Sequence, residues 1–269
     1  MRRLAAACLI WLCATSVWAD ARLTVLMDAL RLPDLVQIMR QEGLSDAEQI
    51  NIDMLAGQGG AFWLGQVDGL YNPIAMQDMF FAGLRDGLDD GDLQVAVDFF
   101  DSARGQRIVN LEMAARQAMI DPDVRATASE AYDALQTTDD PHAEFVAQMV
   151  EANDALELNV AVTMSTSYQF YRGLSDGGFL RRPEADILAD VWDSEPSLRA
   201  EAQDWLFAYF LLAYQPLAPE DRDAYLAFFE SSSGQALNSA LFTSFEAMFT
   251  DIAYGLGRAV ALNAVGNDI

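Results

Sequence analysis

The chain has 269 residues, is 52% hydrophobic, and sets 41 acidic residues against 16 basic ones for a net charge of −25. All the basic residues are Arg. Such an acidic surface repels phosphate backbones and anionic headgroups, which argues against nucleic acid as a partner, and the hydrophobic content excludes a disordered acidic tail.

Arg2 and Arg3 precede the apolar run Leu4–Val17, and Val17-Trp18-Ala19 offers small residues where a signal peptidase reads. This predicts a cleavable signal peptide over 1–19, a mature chain starting at Asp20, and export to the periplasm. Cleavage takes the net charge from −25 to −27 and removes Cys8 and Cys13, the only cysteines. The expected mature chain is cysteine-free, without disulfides or thiolate chemistry. Neither cysteine sits in a lipidation context, so ordinary export is expected, with no membrane-spanning segment retained.

Helical periodicity follows nearly throughout. Leu30–Leu44 sets Leu35, Ile38 and Met39 on one face, with Pro33 early and Gly43 at the end. Ser45-Asp46-Ala47-Glu48 has capping-box spacing and predicts the start of another helix. Gly57–Gly60 breaks the pattern; Ala75–Leu88 resumes it and stops at Asp89-Asp90-Gly91. Asp139-Asp140-Pro141 predicts a helix start, and the apolar seam from Phe145 to Leu174 predicts one long helix over Pro141–Leu174. Pro183 and Pro196 each predict a further start. Trp205–Tyr214 is apolar all round and too short to span a bilayer, so it reads as a central buried helix. Leu241–Val265 is interrupted by Glu246, Asp251 and Arg258 and reads as a core helix with one polar side.

One feature organises the whole. Phe99–Gln106 reads FFDSARGQ and Phe228–Gln235 reads FFESSSGQ, 129 positions later. The likeness extends upstream, AMQDMFFAGL against EAQDWLFAYF, and downstream, QAM against EAM. Each copy predicts helix, turn, helix, sharp corner, helix. At the corner, Phe99-Phe100 and Phe228-Phe229 end one helix, with Phe100 and Phe229 turned to the core. Ser102 and Ser231 suit the N-cap of the next helix. Gly105 and Gly234 fall in its first turn, where their poor helix propensity is offset by close approach of the preceding helix. Gln106 and Gln235 are placed to bond back to the corner backbone. The fold class expected is all-α, two tandem copies of a helical module packed into one bundle-like body: 20–122 and 139–269, joined by 123–138.

An exported helical chain with this corner before its last long helix resembles the bacterial periplasmic family "domain of unknown function 2059". The resemblance covers best Ala75–Met119 and Glu201–Met248. Ala103 and Ser232 stand where that family's pattern has Pro after the Ser, which softens the corner. The resemblance implies a periplasmic helical protein and carries no activity.

The residues point to no catalytic, cofactor or metal set. His142, the only histidine, sits in a predicted first turn beside Asp139, Asp140 and Glu144 and reads as solvated rather than as a general base. Asp86, Asp89, Asp90 and Asp92 do not follow calcium-loop order, and read with Asp121-Pro122-Asp123 as helix caps. Glu112 and Glu246 lie on helices with apolar faces, where burial raises a carboxyl pKa. Across the copies, however, Glu112 aligns with Leu241 and Glu246 with Gln117. Trp63, Tyr71, Tyr168, Phe170, Tyr171 and Phe179 offer either a groove for an apolar or peptide-like ligand or core packing. The leading expectation is a non-enzymatic binding protein of the cell envelope, its partner an envelope protein or a small apolar ligand. The alternatives are a carboxylate-dependent hydrolase using Glu112, Glu246 or Asp251, and an envelope structural or chaperone-like factor.

Overall fold

The computed structural model describes residues 20–266, so the predicted signal peptide lies outside the described residues. Among these the chain is helical nearly throughout, with no strand. Helix α1 covers 20–29. There follow α2 (Leu32–Leu55), α3 (Gly60–Leu70), α4 (Pro73–Gly87), α5 (Asp90–Phe100) and α6 (Ala103–Ala118). Then come α7 (Pro122–Gln136), α8 (Pro141–Ala152), α9 (Ala155–Asp176) and α10 (Glu184–Asp193). The chain closes with α11 (Glu195–Tyr214), α12 (Pro219–Glu230) and α13 (Ser232–Gly266). Among the described residues no helix is long and apolar enough to cross a membrane. Starts follow local chemistry: Asn72, Asp89, Asp121 and Asp140 each accept backbone N–H groups of the helix they cap.

The 35-residue α13 is the spine, packing on α9, α4, α5 and α3. Its crossing with α9 is tight because Gly173 lies against the Tyr254 carbonyl and Gly257 against the Phe170 carbonyl, where any Cβ would collide. Helix α11 packs against α6, α7, α8 and α9. Residues Trp205–Tyr214 are all buried or half-buried, as their apolar run predicts.

The two corners have one geometry. Ser102 Oγ accepts from Gly105 N at 3.1 Å and donates to the Phe99 carbonyl at 2.6 Å; Ser231 does the same with Gly234 and Phe228 at the same distances. Gln106 Nε2 donates to the Phe100 carbonyl at 2.8 Å, and Gln235 Nε2 to the Phe229 carbonyl at 2.6 Å. Each glutamine also donates to the last carbonyl of a helix in its own half, Ala29 of α1 or Ala152 of α8. Just beyond each of these stands a left-handed residue, Arg31 (φ 53°) or Asp154 (φ 48°), where the chain turns into α2 or α9.

The corners also meet. Phe99 stacks on Phe228 with centroids 4.5 Å apart. Arg104 of α6 bonds Asp221 in the first turn of α12, while Ser233 of α13 bonds Asp92 in the first turn of α5. Both pairs join the same aligned positions in opposite directions, the reciprocity of a two-fold contact. The last helices are exchanged in packing as well: α6 lies on α11, and α13 lies on α4.

Two expected boundaries are corrected. Ser45-Asp46-Ala47-Glu48 opens no helix, because α2 runs unbroken through it. Gly43 does not end a helix either; it lets the Tyr71 ring lie against the backbone, 2.1 Å from where a Cβ would stand. The predicted helix over Pro141–Leu174 is two helices. Asp154 turns left-handed between them, and the break is held by Asn153 Nδ2 to the Met149 carbonyl and Asn238 Nδ2 to the Asn153 carbonyl, both 2.9 Å.

Candidate functional site

Between the halves lies a cavity of about 570 Å³, inside the range that holds small ligands. Helix α6 contributes Val109, Glu112, Met113 and Arg116; α13 contributes Asn238, Leu241, Phe242 and Phe245. These are the same four positions of the two aligned helices. Leu30, Leu32 and Met39 by α2 likewise match Asn153, Ala155 and Val162 by α9. Helices α11 and α12 supply Trp205, Tyr209, Tyr214, Tyr225 and Phe229, which have no counterparts in the lining from α4 and α5. A smaller recess of about 220 Å³ shares Asn159, Thr163, Trp205 and Leu206 with the first and reaches Glu201 on the surface between α9 and α11.

Among the described residues Glu112 is the only carboxylate in the cavity wall. Its Oε1 accepts from Tyr214 Oη at 2.7 Å and Tyr225 Oη at 2.6 Å. Its Oε2 has no partner among the described residues. The side chain is largely enclosed by protein atoms and keeps part of its surface open where it lines the cavity. Burial pushes the carboxyl above the ordinary range, outweighing the two hydroxyls that donate to it and favour the charged form. Burial likewise raises Tyr209, Tyr214 and Tyr225, which stay protonated donors. Arg116, one turn on, is already committed. Its Nε and Nη2 bond Glu42 at 3.1 and 2.6 Å, and its guanidinium lies over the Trp205 ring at 4.8 Å. On the α9 side, the Thr166 hydroxyl is buried without a partner among the described residues.

The predicted acids do not converge. Glu246 and Asp251 are exposed on α13, and Glu246 accepts from Ser165 Oγ at 3.1 Å. His142 follows the α8 cap and stands 3.1 Å from the Asp140 carboxylate. Asp89 caps α5 through Gly91 N and Asp92 N. The six aromatics read as a possible groove do not line the cavity. Trp63 and Tyr71 are core residues, while Tyr171 and Phe179 are exposed. The cavity's rings come instead from the apolar run on α11, from Tyr225 and Phe229 on α12, and from Phe242, Phe245 and Phe249, spaced three and four apart along α13.

Set against known proteins, the chain matches no family model, no curated protein and no solved structure.

Proposed function

We propose that this is an exported, non-enzymatic binding protein that holds a small apolar ligand in the cavity between its halves. One observation carries the reading: a cavity of about 570 Å³ walled mainly by aliphatic and aromatic side chains, with one carboxyl in its wall. A hydrolase of the two-carboxylate type needs a second acid within reach of the same substrate bond. Among the described residues no second acid lines the cavity with Glu112, which favours binding over that chemistry. The test is to express the full chain, purify it from the periplasmic fraction and extract it with organic solvent. A recurrent copurifying small molecule, displaced by a neutral apolar fluorophore that quenches Trp205, is the expected result. Absence of both copurification and fluorophore binding, with the fold intact, overturns the reading.

The doubling of one module, and kinship with the periplasmic family 2059, belong to the same proposal. The reciprocal corner contacts support the doubling. The signal-like N-terminus supports export, and mass spectrometry of the secreted chain should find Asp20 first. A second reading, docking to an envelope protein, is supported by Phe62, Leu64, Ile74 and Trp192, each at least 60% exposed.

A further inference from the structure

Glu112 presents an unusual combination. A carboxyl with one free oxygen faces an apolar cavity, and the one cation in that lining among the described residues is already engaged. Arg116 is held by Glu42 in two hydrogen bonds and is stacked on Trp205. The other groups facing Glu112 are hydroxyls: Tyr209 and Tyr214 from α11 and Tyr225 from α12. Two of them donate to Oε1, so the structure supplies donors to one oxygen and nothing to the other. A buried charge without a partner is costly, and a ligand that brings the missing positive charge removes that cost.

Three ligand classes can be compared. An anionic head would meet Glu112 itself, and the guanidinium that would offset it is already neutralised. A neutral apolar molecule would fill the volume but leave Oε2 desolvated. A cationic head satisfies Oε2 and lies among the rings of Tyr209, Tyr214, Tyr225 and Phe229, whose faces attract cations. The chain's net charge of −25 adds long-range attraction of the same sign. The walls are divided to match: the ionisable side chains sit on α6, while the aligned positions on α13 carry Leu241 and Phe245.

We infer that the cavity takes an apolar organic cation, an amine or quaternary ammonium on a hydrocarbon body, its head at Glu112 Oε2 and its body along Leu241, Phe242 and Phe245. This rests on the binding role proposed above and adds the ligand's charge and orientation. Binding then requires Glu112 ionised, so burial, which favours the protonated carboxyl, makes affinity for the cation rise with pH. The tyrosines, raised in the same site, do not titrate over that interval.

The test compares three molecules of one chain length by calorimetry on the purified full-length protein: decyltrimethylammonium, decanol and decanoate. The expected order is ammonium tightest, decanoate weakest, with ammonium ahead of decanol by about tenfold or more, as a charged partner contact commands. Glu112→Gln, which keeps a carbonyl oxygen for both tyrosines, should erase that preference while decanol still binds. If decanol binds as tightly as the ammonium, or if E112Q keeps the preference, the inference is overturned and the binding role stands. If none of the three binds, the binding role falls and the inference with it. Should E112Q fail to fold, the unaltered protein decides. Ammonium affinity rising with pH while decanol affinity stays flat supports the inference; parallel profiles overturn it.

Discussion

Alanine at Gly105 or Gly234 tests the corner, because two physical effects oppose each other there. In an ordinary helix interior the change gains about 1 kcal/mol, and less near an end. At these sites the new methyl has no room. Its Cβ would stand 2.3 Å from the Phe99 carbonyl oxygen and 2.6 Å from Phe100 Cα; at Gly234 the Phe228 oxygen is 2.0 Å away. These are backbone atoms, so no rotamer change relieves the clash. The helices must part, and the same Phe99 and Phe228 carbonyls accept the capping serine hydroxyls. Overpacking costs about 1–3 kcal/mol, and loss of the serine cap about 1 kcal/mol more. Sterics therefore win, with a net loss of about 1–3 kcal/mol for each variant. The assay is denaturant unfolding, reading a lower midpoint at unchanged slope. Gly65→Ala on α3 is the control, because nothing lies within 4 Å of its Cβ position. It should gain up to about 1 kcal/mol. If G105A and G234A unfold at or above the wild-type midpoint, the close-approach account is wrong.

Two further outcomes follow from buried charge, and a third from the cavity's volume. Glu112→Gln should raise the denaturant midpoint at neutral pH. The carboxyl's raised pKa means its folded-state contribution is full below the unfolded value and lost as pH rises through the folded one, so the gain should vanish near about pH 4. Asp221→Asn should act in the opposite sense. Arg104 first, then Arg107, hold that carboxyl low, so its contribution is present above the unfolded value and lost as pH falls through the folded one. Thermal unfolding should show D221N less stable than wild type at neutral pH and matched to it in acid. Leu241→Trp, which fills the cavity from the α13 side, should abolish binding of the neutral fluorophore while far-UV circular dichroism keeps its helical signature.

Legibility in the sequence followed the range of the interactions. The corner could be read almost whole: serine cap, glycine approach and glutamine back-bond all lie within eight residues, so one segment specifies the geometry. The break at Asn153–Asp154 was hidden, because the apolar seam continues at helical spacing on both sides of it. What holds the break open comes from Gln235 and Asn238, far along the chain. Ser45 misled for a related reason. A capping box is a local signal, and α2 overrides it by packing Gly43 beneath Tyr71. Glu112 stood out as an ionisable group on an apolar helix. Its separation from Glu246 and Asp251 is tertiary information that no spacing rule carries. The cavity's aromatic wall was present as WLFAYFLLAY and as Phe242, Phe245 and Phe249, but such stripes are more often core, and only the void beside them marks these as lining.

The proposed doubling explains why the cavity has two unlike walls. The two aligned helices, meeting with reciprocal contacts, bring the same four positions of each to a shared space: Val109, Glu112, Met113 and Arg116 from α6, Asn238, Leu241, Phe242 and Phe245 from α13. Were the copies identical, any charge in the wall would face its like across the gap, and that repulsion in a low dielectric would be costly. The difference at the aligned positions removes the problem: α6 carries Glu112 and Arg116, and α13 carries Leu241 and Phe245. An amphipathic ligand can then lie in only one direction. Exchanging the two walls tests this directly. Glu112→Leu with Leu241→Glu keeps the composition of the cavity but moves the carboxyl off α6, where Tyr214 and Tyr225 donate to it. The doubly changed protein should unfold at a lower denaturant midpoint than wild type at neutral pH and recover in acid, where the displaced carboxyl is protonated. Equal stability across that pH range would mean that the tyrosine pair contributes nothing to where the charge sits.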